Sequence, residues 1–236
     1  MARLRVFRRR TVPVPTLLGG LLLVAFLGGT LLLALRPLAF FLAQNAPVRH
    51  GILVVEGWLP VGELGLASEI FRQGGYEALV VTGGPVEDPL CEGRFGTYAE
   101  RAAAKMRELG IAEPALVVVP APASAQDRTY RNAVSVRQWI EASGQPVRAL
   151  DVFSQGTHSR RSRLLYQIAL GDDVAVGVRA APPYEYGLSS WWRSSRGAKD
   201  VIGESIYYAW TLCCFDPGPR GSHQELWAEP EPGAPR

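Results

Sequence analysis

Beyond an uncharged apolar block near its start, the chain alternates short β-branched runs with stretches whose apolar positions recur every three or four residues. The first run is Gly51 to Glu56 (GILVVE), and Val61 to Gln73 follows with Leu64, Ala67, Ile70 and Phe71 on one helical face. Ala78 to Thr82 is a second run, stopped by Gly83-Gly84-Pro85. A long loop through Cys91 then leads to a helix from about Thr97 to Leu109, which Gly110 ends. Leu116 to Val119 is a third run, closed by Pro120 and Pro122, and the helix after it spans about Thr129 to Ala142. Ala149 to Phe153 and Val174 to Val178 are two further strands, separated by a helix over His158 to Leu170. An aromatic loop (PPYEYGLSSWWRSSRG) precedes a last helix from about Ala198 to Leu212.

Strands that lack polar alternation and alternate with helices are buried on both faces, which is the pattern of a parallel sheet. The expected fold is α/β, a Rossmann-like three-layer sandwich with a mostly parallel sheet over residues 50–215. Residues 216–236 carry five prolines and few apolar residues, so the sequence predicts a disordered tail there.

The apolar block runs from Leu17 to Leu35 without a charge. As a helix it is roughly 28 Å long, enough for the hydrocarbon core of a bilayer. It exceeds the apolar core of about 7–15 residues of a cleaved signal peptide, and the following RPLAFFLAQNA offers a poor cleavage site. Residues 17–35 therefore read as one transmembrane helix, with a basic head at 1–16 and a linker at 36–49. Arg3, Arg5, Arg8, Arg9 and Arg10 precede the block, and no acidic residue appears before Glu56. The positive-inside rule keeps that head in the cytoplasm and puts the domain on the other side. The net charge of +3 becomes −2 once those five arginines are set aside, so nothing global calls for nucleic acid.

The three cysteines are Cys91 and the adjacent pair Cys213 and Cys214. No spacing suits a metal, and the bland reading is buried free thiols, with a bridge from Cys91 to one of the pair as the alternative.

In open α/β sheets ligands bind beyond the carboxyl ends of the strands, so the polar residues there are the candidates. Gly83 and Gly84 either make a tight turn or let backbone donors approach a ligand. Glu56 is either a carboxylate base or metal ligand, or the partner of an arginine across the crevice. Thr129 lies between the third strand and its helix, and Asn132 stands in that helix's first turn, where a cap-related role competes with ligand binding. Ser154 ends the fourth strand. His158 and Arg161, three apart, share one face of the next helix start, a position suited to an anion. The competing reading makes Arg160, Arg161 and Arg163 a solvated helix face. Trp191-Trp192 is a lid, a membrane contact or simple packing.

Three segments taken in order resemble the ElyC/SanA/YdcF family of bacterial envelope proteins: LVVTGG at Leu79 to Gly84, T-Y-x-N-A at Thr129 to Ala133, and Ser-x-x-x-His-x-x-Arg at Ser154, His158 and Arg161. The likeness covers roughly Gly51 to Ala180, and the N-terminal anchor looks like the ElyC and SanA branch. Two positions depart from the pattern. Glu56-Gly57-Trp58 replaces a glycine-rich turn, and Arg131 stands where relatives carry Glu. The spacing of Arg131 with Ser135 and Gln138 predicts that it faces solvent.

The resemblance implies a protein of the bacterial inner membrane with a periplasmic or extracytoplasmic domain, acting in envelope biogenesis. Its ligand would be small, anionic and phosphate-bearing, a peptidoglycan or lipid-linked precursor. His158 and Arg161 would hold the anion, with Gly83, Gly84, Thr129, Asn132 and Ser154 around it. If the domain is an enzyme, it is a hydrolase or transferase acting at a phosphate, with His158 as acid/base and Glu56 as second carboxylate. The alternative is a non-catalytic membrane-tethered scaffold that binds partner proteins. No cofactor is assigned. The orientation predicts that alkaline phosphatase fused after Arg36 is active and fused before Leu17 is inactive; the opposite pattern reverses it.

Overall fold

The computed structural model describes residues 14–87, 94–124 and 126–226. Most of the basic head, Cys91 and the end of the expected tail (227–236) lie outside these. The chain divides into two compact units, 1–37 and 38–236.

In the first unit α1 spans Leu17–Leu35, nineteen residues without a charged side chain. The side chains at 31, 32 and 34 are not described, and among the described residues no helix is long and apolar enough to cross a membrane. The membrane crossing therefore rests on the sequence.

In the second unit α2 (Leu38–Leu42) leads to β1 (Ile52–Glu56), α3 (Val61–Arg72), β2 (Ala78–Gly83), α4 (Tyr98–Glu108), β3 (Leu116–Pro120) and α5 (Arg128–Ser143). β4 (Ala149–Gln155), α6 (Ser159–Leu170), β5 (Ala175–Ala181), α7 (Ser195–Cys213) and α8 (His223–Leu226) complete it. The five strands are all parallel in the order β3-β2-β1-β4-β5. The chain starts at the middle of the sheet, builds outward to one edge, then returns to build the other. β1 and β4 are thus neighbours from which the connections leave in opposite senses, which opens a crevice at their carboxyl ends.

Alternation along each strand fills both faces of the sheet. Ile52, Val54, Leu150 and Val152 pack with Ala133, Val134, Leu165 and Tyr166 of α5 and α6. Leu53, Val55, Leu79 and Val81 pack with Leu64, Ala67, Ala103 and Met106 of α3 and α4. The three-layer, Rossmann-like arrangement follows from these two apolar sets. Fully burying each large aliphatic side chain contributes about 1.5–3 kcal/mol.

Two glycines let α4 sit on the strand ends. A Cβ at Gly57 would lie 2.4 Å from the Tyr98 carbonyl oxygen, and one at Gly83 would lie 2.7 Å from the Tyr98 Cβ. The start of α4 is closed by a reciprocal cap between Thr97 and Glu100.

Several expectations need correction. The linker predicted at 36–49 is part of the domain from Leu38 on: Ala39 and Leu42 are buried, and Ala46 bridges Val178. The fully buried Asp151 carboxylate accepts from Val48 N at 2.7 Å and Arg49 N at 2.9 Å, and from the Tyr76 hydroxyl. Gly177 makes room for it, since a Cβ there would lie 1.9 Å from Asp151 Oδ1. Cys213 and Cys214 are exposed and bridged to each other, not buried thiols. Trp191 is buried, whereas Trp192 is 37% exposed.

The predicted disordered tail is packed as far as Leu226. Glu225 is only 1% exposed and binds Arg137 with two bonds, Nη1 to Oε1 at 2.7 Å and Nη2 to Oε2 at 2.9 Å. Tyr130 donates to the same carboxylate at 3.2 Å. Burial, and then the Glu225 charge, push the Tyr130 phenol up to about 12. Leu226 packs against the core. A proline-rich segment with one carboxylate and one leucine in register has enough to dock when its target already holds a buried arginine.

Removing one partner of such a buried pair costs about 3–5 kcal/mol, whereas replacing both by apolar side chains is often neutral. In urea unfolding of the domain, Glu225→Ala should therefore be strongly destabilising, and Arg137→Met with Glu225→Leu should recover most of the loss. A Glu225→Ala variant as stable as the parent contradicts the assignment.

Candidate functional site

The carboxyl ends of the strands open into a cleft of about 1220 Å³. Gly83, Gly84, Thr129, Asn132, His158 and Arg161 all line it, so six of the eight residues picked from the sequence come together. Glu56 and Ser154 do not reach the wall. Both are fully buried behind His158, where Ser154 donates to Glu56 Oε2 at 2.6 Å and Ser162 donates to Oε1 at 3.0 Å. Glu56 thus pairs with two hydroxyls and not with an arginine across the crevice. Gly83 is accounted for by the approach of α4, while Gly84 has no atom nearer than 3.6 Å to its Cβ position.

His158 ends a single 3-10 turn (Gly156–His158) between β4 and α6. That turn starts at Gly156, whose φ is +30°. The imidazole is held from four sides. Nδ1 lies 2.9 Å from Glu204 Oε1 on α7, and Nε2 lies 3.3 Å from Thr129 Oγ1 on α5. Glu56 Oε1 is 3.9 Å from Nε2, and the Trp58 ring meets the imidazole edge-on at 5.5 Å between centroids.

Glu204 also receives Arg161, through Nε at 2.8 Å and Nη2 at 3.1 Å. Burial alone would raise the Glu204 pKa, but the bonds and charges of His158 and Arg161 outweigh it and hold the carboxyl at about 2. Glu204 is therefore an anion at any physiological pH, an acceptor that favours the imidazole proton on Nδ1, and Nε2 is turned toward Thr129. Nη2 of Arg161 also comes within 3.0 Å of Nδ1, and both nitrogens converge on Glu204 Oε1. Arg161 is thus neutralised by Glu204 instead of standing free for a ligand.

The other arginines of this helix are not a solvated face. Arg160 lies over the Phe41 ring, 3.8 Å from its centroid, and donates to the Phe41 carbonyl. Arg163 donates to the Val176 carbonyl at 2.9 Å.

Among the described residues that line the cleft, the cation without an ion pair is Arg131, which the sequence predicts to face solvent. It is 8% exposed, lines the cleft, and its Nε and Nη1 are buried without a hydrogen-bond partner. Burial pushes its pKa down, opposed by the charge of Glu225. The helix face that looks polar in the sequence is covered by the C-terminal segment, which brings Leu226 to the same cleft. Ser135, one turn on, is also buried and donates back to the Arg131 carbonyl at 3.1 Å. Arg128 at the mouth is exposed and paired with Glu87 at 2.6 Å.

The start of α5 adds backbone polarity to the same wall. Asp127 precedes it in the left-handed conformation (φ 48°, ψ 43°) and makes no side-chain cap. The first-turn N–H groups are not capped by that side chain, and the positive end of a sixteen-residue helix stands at the cleft, which Asp127, Arg128 and Thr129 line. Burial pushes Asp127 up, opposed by Arg161. The wall therefore combines one unpaired guanidinium, a helix N-terminus, an amide (Asn132) and a hydroxyl touching an imidazole. That set has the charge and donors an anion needs, with a base beside the Thr129 hydroxyl. Arg131 and Glu204 were the two residues that sequence reasoning missed. Glu204 carries no local signature and lies on α7, outside the stretch covered by the resemblance.

Comparison of the chain with known protein families, curated proteins and solved structures finds no match.

The depressed Glu204 pKa has a measurable consequence. Its folded-state value lies below its unfolded value, so its contribution is complete above about pH 4.5 and is lost as pH falls toward about 2. At 1.36 kcal/mol per unit this is on the order of 3 kcal/mol. The stability gap between the parent and Glu204→Gln should be flat from pH 8 to 5 and shrink below pH 4.5. A gap that instead closes between pH 5 and 7 contradicts the pairing.

Proposed function

We propose that the chain is a membrane-anchored envelope-biogenesis protein of the ElyC/SanA/YdcF kind, whose extracytoplasmic domain binds a small phosphate-bearing ligand in the cleft at the strand ends. The anchor and its orientation are supported by the uncharged Leu17–Leu35 helix and the arginines before it. The family assignment is supported by the three ordered segments, which the fold gathers around one cleft instead of scattering them.

The observation that carries the reading is Arg131. An ionised group taken out of water without a partner costs several kcal/mol, so such groups are paired in nearly all folds. Here two guanidinium nitrogens are left over at the wall of a cleft with room for a ligand. A phosphate or carboxylate completes the pairing, and the planar fork of Arg suits either. The first turn of α5 strengthens the preference for negative charge at the same wall.

This reading predicts opposite changes in stability and binding. In the detergent-solubilised full-length protein, Arg131→Met removes an uncompensated buried charge, so the ligand-free protein should melt no lower than the parent. Inorganic phosphate should raise the parent's melting temperature, and its apparent affinity should fall at least tenfold in Arg131→Met. Equal phosphate response in the two proteins overturns the anion site.

A further inference from the structure

The contacts of Thr129 point beyond binding. Its hydroxyl lies at the wall of the cleft, 3.3 Å from His158 Nε2, and His158 Nδ1 lies 2.9 Å from Glu204. Three separate elements supply these groups: α5 the hydroxyl, the turn before α6 the imidazole, and α7 the carboxylate. A hydroxyl, an imidazole and a carboxylate in that order are the parts of an activated nucleophile. We propose that Thr129 is the attacking hydroxyl of a phosphoryl-transfer site, with His158 as its base and Glu204 as the residue that positions His158. The proposal rests on the reading of the cleft as a phosphate site and adds the group that reacts.

The surroundings suit the step. Glu204 keeps the proton on Nδ1, so Nε2 faces Thr129 as an acceptor. When Nε2 takes the Thr129 proton, the imidazolium forms between two carboxylates, Glu204 on one side and Glu56 3.9 Å away on the other. Glu56 is held in place by Ser154 and Ser162, which gives those buried hydroxyls a role without contact with the ligand. Asn132 stands one turn after Thr129 on the same face of α5, and Arg131 and the helix start lie along the same wall, where phosphoryl oxygens gain negative charge.

The chemistry balances with a phosphate ester and water. Thr129 Oγ attacks phosphorus, the Oγ–P bond forms and the P–O bond to the leaving alcohol breaks. The hydroxyl proton passes to Nε2 and on to the leaving oxygen. Water then attacks the phosphothreonine, gives its proton to Nε2, and that proton returns to Thr129 Oγ as the Oγ–P bond breaks. The products are the alcohol and inorganic phosphate.

An alkyl fluorophosphonate tests this without knowledge of the substrate, because it reacts with an activated hydroxyl by forming an O–P bond and releasing fluoride. The full-length detergent-solubilised protein should be labelled at Thr129, as located by mass spectrometry of its peptides. Thr129→Ser should be labelled at the same position and Thr129→Ala should not. Loss of a general base costs about 100-fold or more, so His158→Gln should slow labelling by that factor. Glu204→Gln should slow it as well, with partial recovery in Glu204→Asp, a recovery that a purely structural role would not give. Absence of label at position 129 in both the parent and Thr129→Ser overturns the nucleophile, as does labelling indifferent to His158→Gln. If phosphate still binds through Arg131 in that case, the binding site stands and only the reaction is lost.

Discussion

An ion removed from water must be given a partner, and that constraint orders the charged residues around this cleft. Arg137 and Arg131 lie on the same helix and are about equally buried, at 6% and 8% exposure. Arg137 receives both oxygens of Glu225, and Arg161 receives both oxygens of Glu204. Arg131 receives nothing at Nε or Nη1. Removing the charge altogether would be cheaper for the fold, and that cost is the ground for proposing an anion that arrives from outside. Local departures from a stable arrangement of this type are expected where a site has a task.

The sheet provides the place for that site. Because β1 and β4 are neighbours at the point where the chain reverses direction across the sheet, their carboxyl ends are left uncovered by connecting helices. Glu56 ends β1, Ser154 is the penultimate residue of β4, and the two bond to each other, forming a polar floor beneath His158. Gly57 and Gly83 bring α4 close on one side, and the start of α5 closes another. α7 and the C-terminal segment, which add no strand to the sheet, complete the walls with Tyr207 and Leu226, and Glu204 of α7 holds His158 by its Nδ1.

What was legible in the sequence was what depends on local pattern. The buried runs such as ILVV and ALVV mark strands because both faces of a parallel sheet are apolar, and the observed strands differ from the expected ones by three residues at most, at the end of β5. The site residues at strand ends were legible for the same reason, since the topology fixes where those ends meet. The illegible parts depend on pairs distant in the chain. Arg131 looked solvated because Ser135 and Gln138 follow it, and nothing local reveals that residues 216–226 cover that face. Glu225 sits among prolines and glycines, and only its partner Arg137 explains its burial. Glu204 is one carboxylate on an amphipathic helix, and its importance appears only when α7 is laid beside His158.

A crystal structure of the protein grown in saturating inorganic phosphate is the decisive measurement for the proposed pairing of Arg131. A phosphate ion is expected in the cleft within hydrogen-bond distance of Arg131 Nε and Nη1. A structure in which those nitrogens bond to a protein acceptor, or in which phosphate leaves them unpaired, contradicts it.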